Sequence, residues 1–332
     1  MILQDRIDHL RKLGNYMLSN EPLWQEAKQK ASFQNGWFIP EFIELAVKNI
    51  AQCFLDGVAL NKWITNYHLP SVTRQPKTIG VVMAGNIPLV GFHDLLSVFI
   101  SGHKAAIKSS SKDEILIKHL SEVLIGWEPE INNLISFSQF LTNCDAYIAT
   151  GSNNTSRYFE YYFGKYPNII RRNKTSVAIL TGRETKPELE SLTDDVYLFF
   201  GLGCRNVTKI YVPNGYIFEP LLSAFSKYNY LADHHKYKNN YDYNLTIHIL
   251  NNKFYMTNSS ILLVEDSSIF SPISQLNYEY YKDENSLLSS LNDNQEVQCI
   301  IGLDQTPFGK AQSPALFDYA DKTDTMAFLQ SL

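Results

Sequence analysis

From Thr78 onward the sequence alternates short, apolar, β-branched runs with longer stretches of helical spacing, and this rhythm limits the possible folds more than any other feature. Thr78-Ile79-Gly80-Val81-Val82-Met83 reads as a buried strand, residues 89–100 as a helix closed by Ser101-Gly102, and Ala105-Ala106-Ile107-Lys108 as a second strand. Residues 115–125 read as a helix and 146–150 as a third strand. The alternation resumes with strands over 176–180, 207–212, 260–264 and 297–301, helices over 186–199 and 218–230, and a polar loop or helix start over 236–243. Strands separated by helices form parallel sheets with right-handed crossovers, and ligands of such sheets bind beyond the carboxyl ends of the strands. Residues 1–70 carry helical spacing (Ile7, Leu10, Leu13; Phe42, Leu45, Ala46, Ile50) without obvious chemistry, and a proline-bounded linker over 70–76 follows.

Composition excludes several classes. A chain of 332 residues, 45% hydrophobic and 19% charged, has room for two domains or one large α/β unit with an ordinary core. A net charge of −5 provides no field favouring nucleic acid. No run reaches the roughly 18 apolar residues of a membrane span, and the first residues are charged too early for a signal peptide. The four cysteines form no C-x-x-C pair and no His/Cys ligand spacing, so neither a disulfide framework nor a metal site is expected. A reducing, cytoplasmic location follows as the expectation.

Chemistry concentrates in four loops. In Phe200-Gly201-Leu202-Gly203-Cys204-Arg205-Asn206-Val207, a cysteine sits between two glycines and an arginine, just before a β-branched strand. Glycine permits close backbone approach, and adjacent positive charge favours thiolate; Cys204 reads either as a nucleophile or as a buried strand-edge residue. Cys53, Cys144 and Cys299 lie in apolar runs and read as small buried hydrophobes. In Ala84-Gly85-Asn86-Ile87-Pro88, Asn86 offers an amide donor for an oxyanion or a simple cap, with Pro88 suited to a first helical turn. Lys108 with Ser109-Ser110-Ser111-Lys112-Asp113 suits a phosphate or ribose, or is a solvated loop. Gly151-Ser152 opens a helix whose N-terminus favours anions, without the G-x-G-x-x-G of the common dinucleotide fold. His93-Asp94 lies within the first helix of the alternating region, where a helix-surface or buried hydrogen-bonded histidine is a commoner reading than a base. His234-His235 reads as surface, and the acidic run over 184–195 as a solvated helix face.

Taken in order, these segments resemble the LuxC-like acyl-CoA reductases of the bacterial bioluminescence operon, a branch of the aldehyde dehydrogenase superfamily. The resemblance covers about residues 70–332. It rests on Ala84 to Asp94, on Ser101 to Lys108, on Gly201 to Pro213, and on Phe308-Gly309-Lys310-Ala311-Gln312 with Asp318-Tyr319-Ala320-Asp321. It implies an aldehyde dehydrogenase-like α/β fold of two doubly wound domains with parallel sheets: a helical lead-in (1–70) packed on a nucleotide-binding domain (71–172), then a catalytic domain (173–332) carrying the cysteine and the C-terminal motif. It implies that Cys204 takes the acyl group and that Asn86 donates to the oxyanion. It further implies that Lys108 contacts the adenosine ribose and that Gly151 and Ser152 lie near the pyrophosphate.

The departures sharpen the expectation. Hydrolytic aldehyde dehydrogenases carry Glu-Leu-Gly-Gly-Lys where this chain has Ile170-Arg171-Arg172-Asn173-Lys174, so the glutamate that activates water is missing. The superfamily's Glu-x-Phe-Gly-Pro resembles Ser268-Ile269-Phe270-Ser271-Pro272, with Ser268 replacing the ribose-binding glutamate. Where NAD-preferring relatives place an acid after the ribose lysine, this chain has Ser111, with Lys112 next. Hydroxyls and a cation there favour a 2′-phosphate, with Asp113 expected to turn outward into the next helix's first turn. The expected cofactor is therefore NADPH, held by Lys108, Ser110, Ser111 and Lys112, with NADH the alternative. The expected activity is reduction of an acyl-CoA to an aldehyde through an acyl-cysteine, in a homo-oligomer, with an acyl-donor protein as a further partner. Acyl transfer or thioester hydrolysis without redox is the rival chemistry, and a binding subunit that kept the fold is the non-catalytic rival.

Overall fold

A computed structural model describes all residues, 1–332, as two compact units: residues 1–173 together with 314–332, and residues 174–313. The first unit is built on five parallel strands, β1 (Thr78–Val82), β2 (Lys104–Lys108), β3 (Ile135–Phe137), β4 (Ala146–Thr150) and β5 (Asn168–Arg171), in the order β3-β2-β1-β4-β5. β1 lies at the centre, in register with β2 through Val82–Lys108 and with β4 through Val82–Ala149. Ile79, Val81, Ile107 and Ile148 are fully buried, as expected of parallel strands covered on both faces. The second unit carries β6 (Thr175–Ile179), β7 (Val207–Pro213), β8 (Met256–Thr257), β9 (Leu262–Glu265), β10 (Gln275–Tyr281) and β11 (Val297–Ile301), in the order β11-β6-β7-β10-β9-β8. Only β8 runs antiparallel to its neighbour.

The N-terminal helices belong to the first unit's core. Ile7, Leu10, Leu13 and Met17 line one side of the helix Leu3–Met17 and join the cluster that contains β1, β2 and β4. Trp24 and Trp63 are wholly buried, and each indole N–H is satisfied, by Met17 O (2.9 Å) and Tyr319 Oη (2.8 Å) respectively.

Residues 314–332 were expected with the catalytic domain, but they return to the first unit. Leu316, Tyr319, Met326 and Leu329 are apolar and find their burial in that unit's core. His93 Nε2 meets Leu316 O (3.0 Å) and His103 Nε2 meets Leu329 O (3.1 Å), which fixes the returning segment. The Asp94 carboxylate accepts from Arg171 Nη1 at 2.5 Å, and Arg171 Nη2 donates to Thr325 Oγ1 at 2.8 Å, all three residues being buried. One ion pair thus joins the helix Phe92–Ser101, the edge strand β5 and the C-terminal helix Thr325–Gln330.

Another element also differs from the sequence expectation. The helix expected from 89 begins only at Phe92, because residues 84–91 form a loop in which Leu89 is left-handed (φ 57°). Of the two readings of residues 236–243, a polar loop or a helix start, the structure has the second: they open a sixteen-residue helix, His235–Leu250. Its buried side is Tyr237, Tyr241, Asn244 and His248, spaced four, three and four apart. Polar members hide that period: Asn244 donates to Ile273 O (2.9 Å) and His248 meets Gln275 Oε1 (2.8 Å).

Candidate functional site

In the first unit the strand order makes β1 the switch point, with β2 on one side and β4 on the other, so the loops after these three strands share one edge. Asn86 follows β1, Lys108 ends β2 with Ser110, Ser111 and Lys112 after it, and Gly151-Ser152 follows β4. The candidate nucleotide residues are therefore assembled at the carboxyl end of a single sheet. Asn86, Lys108, Ser111, Lys112 and Ser152 are solvent-exposed, while Ser110 is half-buried.

The first two loops are locked together. A side chain at Gly85 would place its Cβ 2.5 Å from Ser110 Oγ and 2.7 Å from Ser110 Cβ, so only glycine admits this approach. Asp113 does not turn outward as expected. It is buried and accepts from the backbone N–H groups of Leu89 and Val90, which holds the left-handed Leu89 turn in place. Burial pushes its carboxyl well above the usual range, against the pull of those two donors. The loop's other acid, Glu114, is occupied by Lys118 at 2.8 Å. The N-terminal helices, read as devoid of chemistry, also reach this loop. Gln34 Nε2 donates to Ser111 O (3.0 Å), and the buried Asn35 donates through Nδ2 to Lys112 O (3.2 Å). The backbone is thereby pinned while the Ser111 and Lys112 side chains face solvent. Ser152 has a structural duty too: its Oγ accepts from Thr155 N (3.3 Å) and caps the helix Asn153–Phe163. The donor set of this edge is two ammonium groups, serine hydroxyls and a helix N-terminus, with both nearby acids engaged. That chemistry fits an anionic nucleotide.

In the second unit, Cys204 lies on a turn between the helix Lys186–Tyr197 and β7, partly exposed. The helix ends two residues earlier than expected because Phe199, Phe200 and Gly201 are all left-handed, with φ 55°, 57° and 74°. Each of the two phenylalanines costs on the order of 1–2 kcal/mol in that conformation, so surrounding bonds must enforce it. Asn206, fully buried, supplies them. Its Oδ1 accepts from Gly203 N (2.8 Å), and its Nδ2 donates to Leu198 O (2.8 Å) and Asp195 O (3.1 Å). Ser176, also fully buried, donates to Cys204 O (3.1 Å), and its Oγ lies 2.9 Å from Cys299 Sγ. The sequence singled out neither Asn206 nor Ser176, although an asparagine two residues past the cysteine, at a strand entrance, is the visible sign of such a turn.

Asp195 corrects the reading of the acidic run as a solvated face. It is wholly buried, and its carboxylate accepts from Gly309 N (2.6 Å) and Ala311 N (3.0 Å). Burial pushes it up to about 7, while those two donors pull it down. Phe308 to Gln312, singled out in the sequence as a motif, is thus tied to the helix that leads to Cys204. Of the cysteines expected to be buried hydrophobes, only Cys144 is buried. Cys299 is half-buried at an irregularity of the β11–β6 pairing, and Cys53 is half-buried in the π-helical turn Ile50–Phe54. His93 is structural, bonded to Leu316 O and ringed by Phe54, Trp63 and Tyr319. His234, expected at the surface, is half-buried: its Nδ1 accepts from Tyr237 N and its ring lies 4.5 Å from that of Phe200. Ser268 spends its hydroxyl inside its own loop, donating to Phe270 O (2.9 Å) and accepting from Phe270 N (3.2 Å). No group of His, Cys, Asp and Glu side chains is arranged to hold a metal, and no helix is long and apolar enough to cross a membrane.

No family model matches the sequence, and no curated protein resembles it detectably. Solved structures do resemble it. Aldehyde dehydrogenase 21 from Physcomitrella patens, in complex with its product succinate, superposes with a TM-score of 0.69 at 14% identity, covering 92% of this chain and 74% of that one. An aldehyde dehydrogenase of Mycobacterium tuberculosis complexed with NAD+ gives 0.62 at 14% identity, covering 89% and 72%. An NAD+ complex from Bacillus cereus gives 0.60 at 12% identity, covering 89% and 70%. At such identities the likeness is one of fold: the chain has the aldehyde dehydrogenase-like α/β architecture.

Proposed function

We propose that the chain reduces an acyl-CoA to an aldehyde, with NADPH as reductant and Cys204 as the nucleophile. The observation that supports this most is the Cys204 turn: a partly exposed thiol, preceded by Gly201 and Gly203 and followed by Arg205, on a strained turn held by two wholly buried side chains. The Cys204 sulfur attacks the thioester carbonyl and CoA leaves as its thiol, so that one thioester replaces another and one hard step becomes two easier ones. Asn86 is the proposed side-chain donor to the carbonyl oxygen. The nicotinamide, when bound, supplies the hydride. Lys108, Ser110, Ser111 and Lys112 would hold the adenosine ribose and its phosphates, with the helix Asn153–Phe163 presenting its N-terminus. The place of the water-activating glutamate supports reduction over hydrolysis. Its segment falls at the end of β5, where Arg171 is committed to Asp94 and Thr325.

NADPH absorbance during incubation with a panel of acyl-CoAs tests the proposal. Oxidation with aldehyde release is expected. Release of CoA without oxidation would replace reduction by acyl transfer or hydrolysis, and a folded but silent protein would replace it by binding. Cofactor choice has its own test. With Asp113 turned inward, Ser111 and Lys112 dominate the loop surface. Ser111→Glu should therefore weaken NADPH more than NADH at low salt, where charge is least screened. Equal or better use of NADH by the unmodified protein would contradict the assignment.

A further inference from the structure

We infer that Asn206 is the positioning residue of Cys204, the amide that keeps its turn in one geometry; the inference rests on the reading of Cys204 as nucleophile. Asn206 grips the strained turn from both sides. Ahead of the turn it donates to the carbonyls of Asp195 and Leu198, and behind it accepts from Gly203 N. Its own backbone N–H donates to Gly203 O (3.0 Å) and closes the four-residue turn that contains Cys204. Burial is complete, so water cannot take over these bonds. An apolar replacement orphans a buried N–H and releases the left-handed Phe199 and Phe200. An aspartate keeps the acceptor for Gly203 N but sets a negative charge against the carbonyls of residues 195 and 198. The backbone N–H of Cys204 itself belongs to the turn, so its direction depends on Asn206, and a preorganised donor acts on the reacting state more than on substrate binding.

The test is the time course of acyl-adduct formation on Cys204 by mass spectrometry, with palmitoyl-CoA and acetyl-CoA as probes. In Asn206→Ala and Asn206→Asp the maximal acylation rate per folded molecule is expected to fall about 10²-fold, with the half-saturating acyl-CoA concentration within threefold of the unmodified protein. Lowered melting temperature with an unchanged maximal rate would make Asn206 merely structural and overturn the inference. Should both variants fail to fold, amide exchange in the unmodified protein decides. The Gly203 N–H should be protected as strongly as the amides of Lys209 and Ile210 in β7, and fast exchange there would overturn the inference. Absence of any adduct in the unmodified protein would instead remove the premise that Cys204 is the nucleophile.

Discussion

Replacing Cys204 with alanine should abolish acyl-CoA reduction, lowering turnover by on the order of 10³-fold or more, while leaving stability within about 1 kcal/mol. The thiol is the only proposed group that bonds to the acyl carbon, so no neighbour can substitute for it. The side chain is only partly buried, and the turn is held through backbone groups and through Asn206 and Ser176, so removing sulfur leaves the scaffold intact. Cys299, whose sulfur meets Ser176 Oγ, is the natural comparison. Cys299→Ala should retain turnover within a few-fold. If Cys204→Ala keeps turnover and Cys299→Ala loses it, the nucleophile has been misassigned.

The largest expected effect on stability lies in the first unit, at the Asp94–Arg171 pair. Both side chains are buried, and Arg171 also donates to Thr325. Removing one partner of a buried pair leaves an uncompensated charge and costs about 3–5 kcal/mol. Asp94→Ala should therefore lower the melting temperature by roughly 10 °C and free the C-terminal helix Thr325–Gln330 first, because that helix depends on the same guanidinium. The double variant Asp94→Leu with Arg171→Met should recover much of the loss, since a well-packed apolar pair of similar volume needs no compensation. Thermal unfolding of the three proteins checks this. A single variant melting within about 2 °C of the unmodified protein would mean that the pair is solvated rather than buried.

The α/β alternation was legible because parallel strands buried on both faces leave near-continuous apolar runs, as in β1 and β4, and the parallel sheets follow from it. The strands that escaped carry polar residues with structural duties. β5 ends in an arginine bound to a core aspartate, and β10 contains Asn277, whose amide donates to Ser268 O and Phe270 O. Asp195 and Asp113 were misread for the same reason: a carboxylate in a polar run looks solvated unless its donors are known, and those donors are backbone N–H groups far along the chain, at 309 and 311 or at 89 and 90. The return of residues 314–332 to the first unit was equally invisible, since Tyr319 and Met326 announce burial without saying where. For the candidate site, glycine spacing and lysine placement marked the Cys204 turn and the Lys108 loop as candidates, and the family resemblance supplied the roles proposed for them. Of the support beneath them only Asn206 left a sign, an asparagine at a strand entrance; Ser176, Asn35 and Asp113 lay beyond reading, because their partners are backbone groups distant in sequence.

The proposed reaction depends on one step, discharge of an acyl group on Cys204 by reductant rather than by water. Peptide mass spectrometry of the protein incubated with an acyl-CoA and no nucleotide tests it most directly. One adduct is expected, on the peptide containing Cys204, that persists for many turnover times in buffer and is discharged as aldehyde when NADPH is added. An adduct on any other residue, or one on Cys204 that buffer alone discharges as free acid at the same rate, would contradict it.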